Sequence, residues 1–95
     1  MDDAIDIHSG DDLDNYTECG NYLSIGANIT VTLLNCPLQG TGFVLHIERT
    51  TGGAINTWCR QCIVPNQRIP VEFWRTMHDG GWSKWVKVDG ESLAI

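Results

Sequence analysis

Arg75-Thr76-Met77-His78-Asp79-Gly80-Gly81-Trp82 is the stretch on which the fold turns. Asp-Gly supplies the positive φ values that a tight hairpin requires, and apolar residues alternate on both sides of it. Upstream, alternation over 69–77 places Ile69, Val71, Phe73, Arg75 and Met77 on one face and Glu72, Trp74 and Thr76 on the other. Arg75 therefore falls in phase with the apolar set. An arginine there must find acceptors, carbonyls or a carboxylate, because burying it unpaired is costly. Downstream, the same alternation groups Trp82 with Val86 and Val88 in the core, and Trp85 with Ser83 and Lys87 over an outer face.

Beyond the hairpin, everything after residue 19 reads as β. Short runs rich in β-branched and aromatic residues alternate with glycine, proline and asparagine punctuation. The pattern predicts strands over 20–25, 29–35, 42–49, 54–63, 69–77 and 82–88. Six short strands on short loops imply antiparallel pairing, since parallel strands need long crossovers. In the N-terminal part, Ala4-Ile5-Asp6-Ile7-His8 has the makings of a short strand, and Ser9-Gly10-Asp11-Asp12-Leu13 carries helix-capping chemistry for one helical turn. The run from Asp11 lacks the sixth-position glycine and distal glutamate of a calcium loop. The expected fold is mainly β: one small antiparallel sheet or sandwich with a short N-terminal helical turn. The expected organisation is an acidic leader over 1–10, a β domain over 11–88 and a connector over 89–95.

Ninety-five residues suit one domain, and 42% hydrophobic with 19% charged residues is ordinary for a globular chain. Net charge is −6, and seven of the 12 acids precede residue 19 while no Lys or Arg does. The six bases, Arg49, Arg60, Arg68, Arg75, Lys84 and Lys87, are scattered singly. Phosphate-rich partners need clustered bases, so neither nucleic acid nor an anionic membrane is expected as a partner. No apolar run approaches the ~18 residues of a membrane span, and the N-terminus lacks the apolar region of a signal peptide.

Cys19, Cys36, Cys59 and Cys62 admit three readings: reduced thiols packing as small hydrophobes, disulfides, or a zinc site. Cys59-x-x-Cys62 lies within a predicted strand, where positions three apart point to opposite faces, so these two thiols do not easily meet. Zinc sites usually want a second close pair, and Cys19 and Cys36 are far apart.

At the hairpin a family resemblance enters. Arg75-Thr76, the Gly80-Gly81 turn and Trp82-Ser83-Lys84-Trp85 resemble the closing signature of the pyocin-knob family. Asp12-Leu13-Asp14-Asn15-Tyr16-Thr17 followed by Gly20-Asn21-Tyr22 resembles its opening, and Leu34-Asn35-Cys36-Pro37 its mid-chain step. Gly42-Phe43-Val44-Leu45 is similar to its next strand, and Gln61 falls where the family has a glutamine. The matches keep their order over about residues 11–88. Cys19 stands where the family often has a turn former, and Cys59/Cys62 lie outside the pattern.

The resemblance implies a non-enzymatic module of a phage or prophage tail fibre, with a virion structural or host-attachment (receptor-binding) role. It implies other copies of the parent chain as partners in a homotrimer, and a virion tail assembled in the bacterial cytoplasm. No cofactor and no metal is expected. Arg75, Gly80 and Trp82 are expected to be structural. Trp74, Trp85 and Lys87, turned outward by parity, are the expected contact residues, first for a neighbouring subunit and second for a surface glycan.

Other function classes compete. His8, His46, His78 and the cysteines form no nucleophile elbow, phosphate loop or H-E-x-x-H pattern, and His46 alternates out of phase with Phe43, Leu45 and Ile47. A carbohydrate-binding module or small lectin is the main alternative, because an all-β scaffold with Trp58, Trp74, Trp82 and Trp85 can stack sugar rings. The sequons at Asn15-Tyr16-Thr17 and Asn28-Ile29-Thr30 raise a secreted module, which the knob resemblance outweighs.

Overall fold

A computed structural model describes residues 4–52, 57–68 and 70–89. It is mainly β: one seven-stranded sheet in the order β1-β2-β3-β4-β5-β6, with β7 also on β5. The strands are β1 (Ile5–Asp6), β2 (Gly20–Ser24), β3 (Phe43–Arg49), β4 (Cys59–Pro65), β5 (Val71–His78), β6 (Gly81–Trp82) and β7 (Val86–Asp89). All pairings are antiparallel except β1 with β2, which is parallel. β1 and the buried Ile7 draw the folded unit back into what the sequence suggested was a leader, of which residues 1–3 lie outside the described residues. Residues 90–95 of the expected connector and 54–56 of one expected strand also lie outside them, as does Ile69.

Period-two patterning decides what each face of the sheet carries. On β3, Phe43, Leu45 and Ile47 are buried while Val44 and His46 are exposed; on β4, Cys59, Gln61 and Ile63 are buried. These inward residues, with Tyr22 and Met77, form the core against a cover that includes Ile7, Leu13 and Leu33. The cover is irregular chain plus a 3₁₀ turn at Leu13–Asn15, capped by Asp12, whose Oδ1 accepts from the Asp14 N–H at 2.9 Å. Among the described residues, the sheet has one covered face and no second sheet stacked on it.

The strand expected over 29–35 is absent. Ala27–Thr30 instead form one α-helical turn, α1, in which Thr30 is buried, and beyond it Leu33 is buried while Val31, Thr32 and Leu34 stay exposed. β-branched composition suggested a strand, but the burial spacing is three, and threonine hydroxyls stabilise the turn. Thr32 Oγ1 donates to Ile29 O at 2.6 Å and accepts from Gly10 N at 2.8 Å; Thr30 and Ser24 hydroxyls pair at 2.7 Å.

The expected strand over 82–88 is broken, and the break has a simple count. Trp82 faces Met77 and Val86 faces Trp74, so three steps along β5 match four along the other chain. One extra residue is a β-bulge, and it inverts the parity of everything after it. Ser83 pins it: its N–H donates to Thr76 O at 2.8 Å and its Oγ accepts from Thr76 N at 3.0 Å. Val86 and Val88 therefore share the outer face with Trp74 and Glu72, and Lys87 faces Phe73 on the inner side. The placements of Trp85, Lys87, Val86 and Val88 inferred from unbroken alternation are thus corrected. The hairpin turn itself is as expected, with Asp79 at φ 53° and Gly80 at φ 84°.

Candidate functional site

Arg75, 5% exposed, is the centre of the inner face. Its Nε donates to Gln61 Oε1 and its Nη1 to Asp14 Oδ1, both at 2.8 Å. The guanidinium lies 4.1 Å from the Trp82 ring centroid and 4.6 Å from that of Trp85, so two indoles hold it. Burial pushes the Arg75 pKa down, and Asp14 beside it works the other way. Nη2 is buried and has no hydrogen-bond partner among the described residues.

The partners are themselves anchored. Gln61, fully buried, donates through Nε2 to Leu13 O at 2.7 Å and Tyr16 O at 2.8 Å. Trp82 Nε1 donates to Asp14 O at 3.3 Å, and Trp85 Nε1 to Asn35 O at 2.9 Å. Asn35 holds a positive φ of 56°, a conformation its short side chain tolerates, and its Nδ2 donates to Asp12 Oδ1 at 2.8 Å. That bond, first, and the Asp14 N–H hold the Asp12 carboxyl below its ordinary value. The sequence predicted that Arg75 needed acceptors. It did not show that one of them comes from residue 14, 61 positions away, and the other from Gln61 on the neighbouring strand.

The outer face is a grid of side chains. One row crosses β2, β3, β4, β5 and β7 as Asn21, His46, Cys62, Trp74 and Val86. On one side of it lie Glu48, Arg60 and Thr76; on the other, Leu23, Val44 and Val64, with Glu72 opposite Val88. Trp74 is exposed, whereas Trp58, Trp82 and Trp85 are half-buried. Trp74 Nε1 donates to Glu72 Oε1 at 2.7 Å, and the Arg60 guanidinium sits 5.2 Å from the Trp74 ring centroid. Arg60 also donates to Glu48 and holds the Glu48 carboxyl below its ordinary value. His46 Nδ1 bonds Asn21 Oδ1 at 2.7 Å. Open hollows of about 490 Å³ and 320 Å³ meet at Val64 and Pro65, at the apolar end of this face.

Of the expected contact residues, only Trp74 belongs to the outer face. Trp85 is on the Arg75 cluster. Lys87 is exposed on the inner side, 3.7 Å from Asp89.

All four cysteines are free thiols. Cys59 is buried on the inner face and Cys62 lies on the outer one, so the pair is separated by the sheet. Burial, with the Glu72 carboxylate adding, pushes the Cys62 thiol up to about 11, which makes it a poor nucleophile. Among the described residues, no group of three or more His, Cys, Asp or Glu side chains is arranged to hold a metal ion. No family model, no curated protein and no solved structure matches the chain.

Proposed function

We propose that the chain is a non-catalytic structural and host-attachment module of a phage or prophage tail fibre, working as one of several copies in a symmetric, trimeric assembly. One observation supports this reading above others. Seven of the residues that carry the resemblance to pyocin-knob domains, Asp12, Asp14, Asn35, Gln61, Arg75, Trp82 and Trp85, meet in a single network around one guanidinium. Motifs scattered over more than 70 positions thereby share one physical cause: they specify how the N-terminal cover is fastened to the sheet.

The role follows from what such a domain offers. Its buried chemistry is used up in folding, which leaves the open sheet face for contact. Three copies on one fibre would raise local concentration, so weak contacts add as avidity. A carbohydrate-binding module is the second reading, favoured by the exposure of Trp74 on that face.

The test is the encoded context. The chain should lie within a long fibre polypeptide beside other tail genes, and when expressed with its fibre flanks it should sediment as a trimer and adsorb to host cells. A free-standing chain among metabolic genes, or one that hydrolyses a polysaccharide, would overturn the proposal.

A further inference from the structure

We infer that the outer sheet face centred on Trp74 binds an uncharged oligosaccharide lying across the strands; this rests on the attachment reading and names its partner class. Sugar rings present an apolar C–H face and a hydroxyl edge. A surface that holds them offers an exposed, fixed aromatic ring beside planar polar side chains. Trp74, 38% exposed, stands beside Glu72 and Arg60 and in one row with His46 and Asn21. Its ring is held before any ligand arrives, by the 2.7 Å bond from Nε1 to Glu72 and by the Arg60 contact. Prior ordering lowers the entropic cost of binding.

Three features select the ligand. First, the row from Asn21 to Trp74 crosses four strands, a span of roughly 14 Å at ordinary strand spacing, longer than a single ring. Second, the polar part of the face carries the two carboxylates of Glu48 and Glu72 against the one guanidinium of Arg60, which disfavours uronates, sialylated and phosphorylated glycans. Third, the Glu48–Arg60 pair and the 3.5 Å approach of His46 Nε2 to Glu48 lie directly beside Trp74. A dry protein interface would strip these charges of water at a cost, whereas sugar hydroxyls replace water at such groups. The shape is shallow, so each site binds weakly, with a Kd of about 1 mM, and multivalency in the fibre supplies the rest.

The experiment is a titration of the ¹⁵N-labelled chain, following the Trp74 indole N–H and the Asn21 side-chain amide. The probes are cellotetraose, maltotetraose and the N-acetylglucosamine tetramer, with tetragalacturonate as the anionic counterpart. At least one neutral tetramer should move both signals together and saturate. Tetragalacturonate should bind at least about tenfold more weakly. Trp74→Ala should abolish saturation while its thermal midpoint stays near the parent's, and Trp74→Phe should retain part of it. The inference is overturned if no neutral tetramer moves these signals at about 20 mM, or if the uronate binds best. It is equally overturned if the signals shift on protein dilution without sugar, which would give the face to a second copy of the chain. Fibre context is scored separately: a chain that binds a neutral tetramer but belongs to no fibre keeps this surface and loses the tail assignment.

Discussion

Arg75 and Arg60 sit on opposite faces of one sheet, each beside tryptophan and a carboxylate, and they do different work. Arg75, 5% exposed, lies between Trp82 and Trp85 and is fixed by Asp14 and Gln61. The Arg60 side chain, 40% exposed, reaches Trp74 and Glu48. The chemistry is alike and the solvent is not. Inside, Nε and Nη1 of the buried guanidinium are answered by Gln61 and Asp14 rather than by water, so the cluster ties residues 12–16 and 35 to the sheet. Outside, water screens the same attractions and the groups remain available to a partner. Burial, rather than residue type, separates the structural cluster from the candidate binding surface.

The largest expected effect breaks this contrast directly. Arg75→Ala removes the centre of the inner network and leaves Gln61 Oε1 and Asp14 without their partner. It should cost about 3–5 kcal/mol in urea unfolding, enough to unfold a marginal domain. Arg60→Ala should cost about 1 kcal/mol or less. Comparable losses would mean that the two faces are not distinguished by burial as described.

Next comes the indole that the bulge turns onto Arg75. Trp85→Ala removes its guanidinium contact and its 2.9 Å bond to Asn35 O, and should cost about 2–3 kcal/mol. Near-ultraviolet circular dichroism should register the change in tryptophan packing.

A smaller effect concerns pH. The Tyr16 hydroxyl, hydrogen-bonded at 2.5 Å, holds the Asp11 carboxyl below its ordinary value, with the His8 N–H adding to it, as Asn35 does first for Asp12. Folded-state values below the unfolded ones stabilise the protein above about pH 4, and that stability is lost as pH falls through the folded values. Tyr16→Phe should therefore flatten the fall in stability below about pH 4, read from urea midpoints across that range. An unchanged acid limb would remove Asp11 from this account. Smallest of all, Trp74→Ala should alter stability by no more than about 1 kcal/mol, because it leaves the core untouched.

Much of this was legible in the sequence, and the failures are specific. Alternation over 43–49 and 71–77 gave the faces, because a strand with one covered side repeats every two residues. The Asp79-Gly80 turn was legible because few residues take positive φ. Arg75 announced its own need for partners by falling in an apolar register. The turn at 27–30 was missed, since β-branched residues favour strands until tertiary contacts and hydroxyl bonds override them. The bulge was missed because parity arguments assume no insertion, although Ser83 between two tryptophans was a visible signal. One slipped residue moved Trp85 from a contact surface into the structural cluster, which shows how much of a site assignment can rest on one count.

The central claim is that this slip places Trp85 on Arg75 rather than on the outer face with Trp74. A double-mutant cycle with Arg75→Met and Trp85→Ala, measured by urea unfolding, tests it most directly, with Arg75→Met and Trp74→Ala as the paired control. The account predicts a coupling of about 1–2 kcal/mol for Arg75 with Trp85 and none beyond error for Arg75 with Trp74. Additive losses in the first cycle, or equal coupling in both, would contradict it.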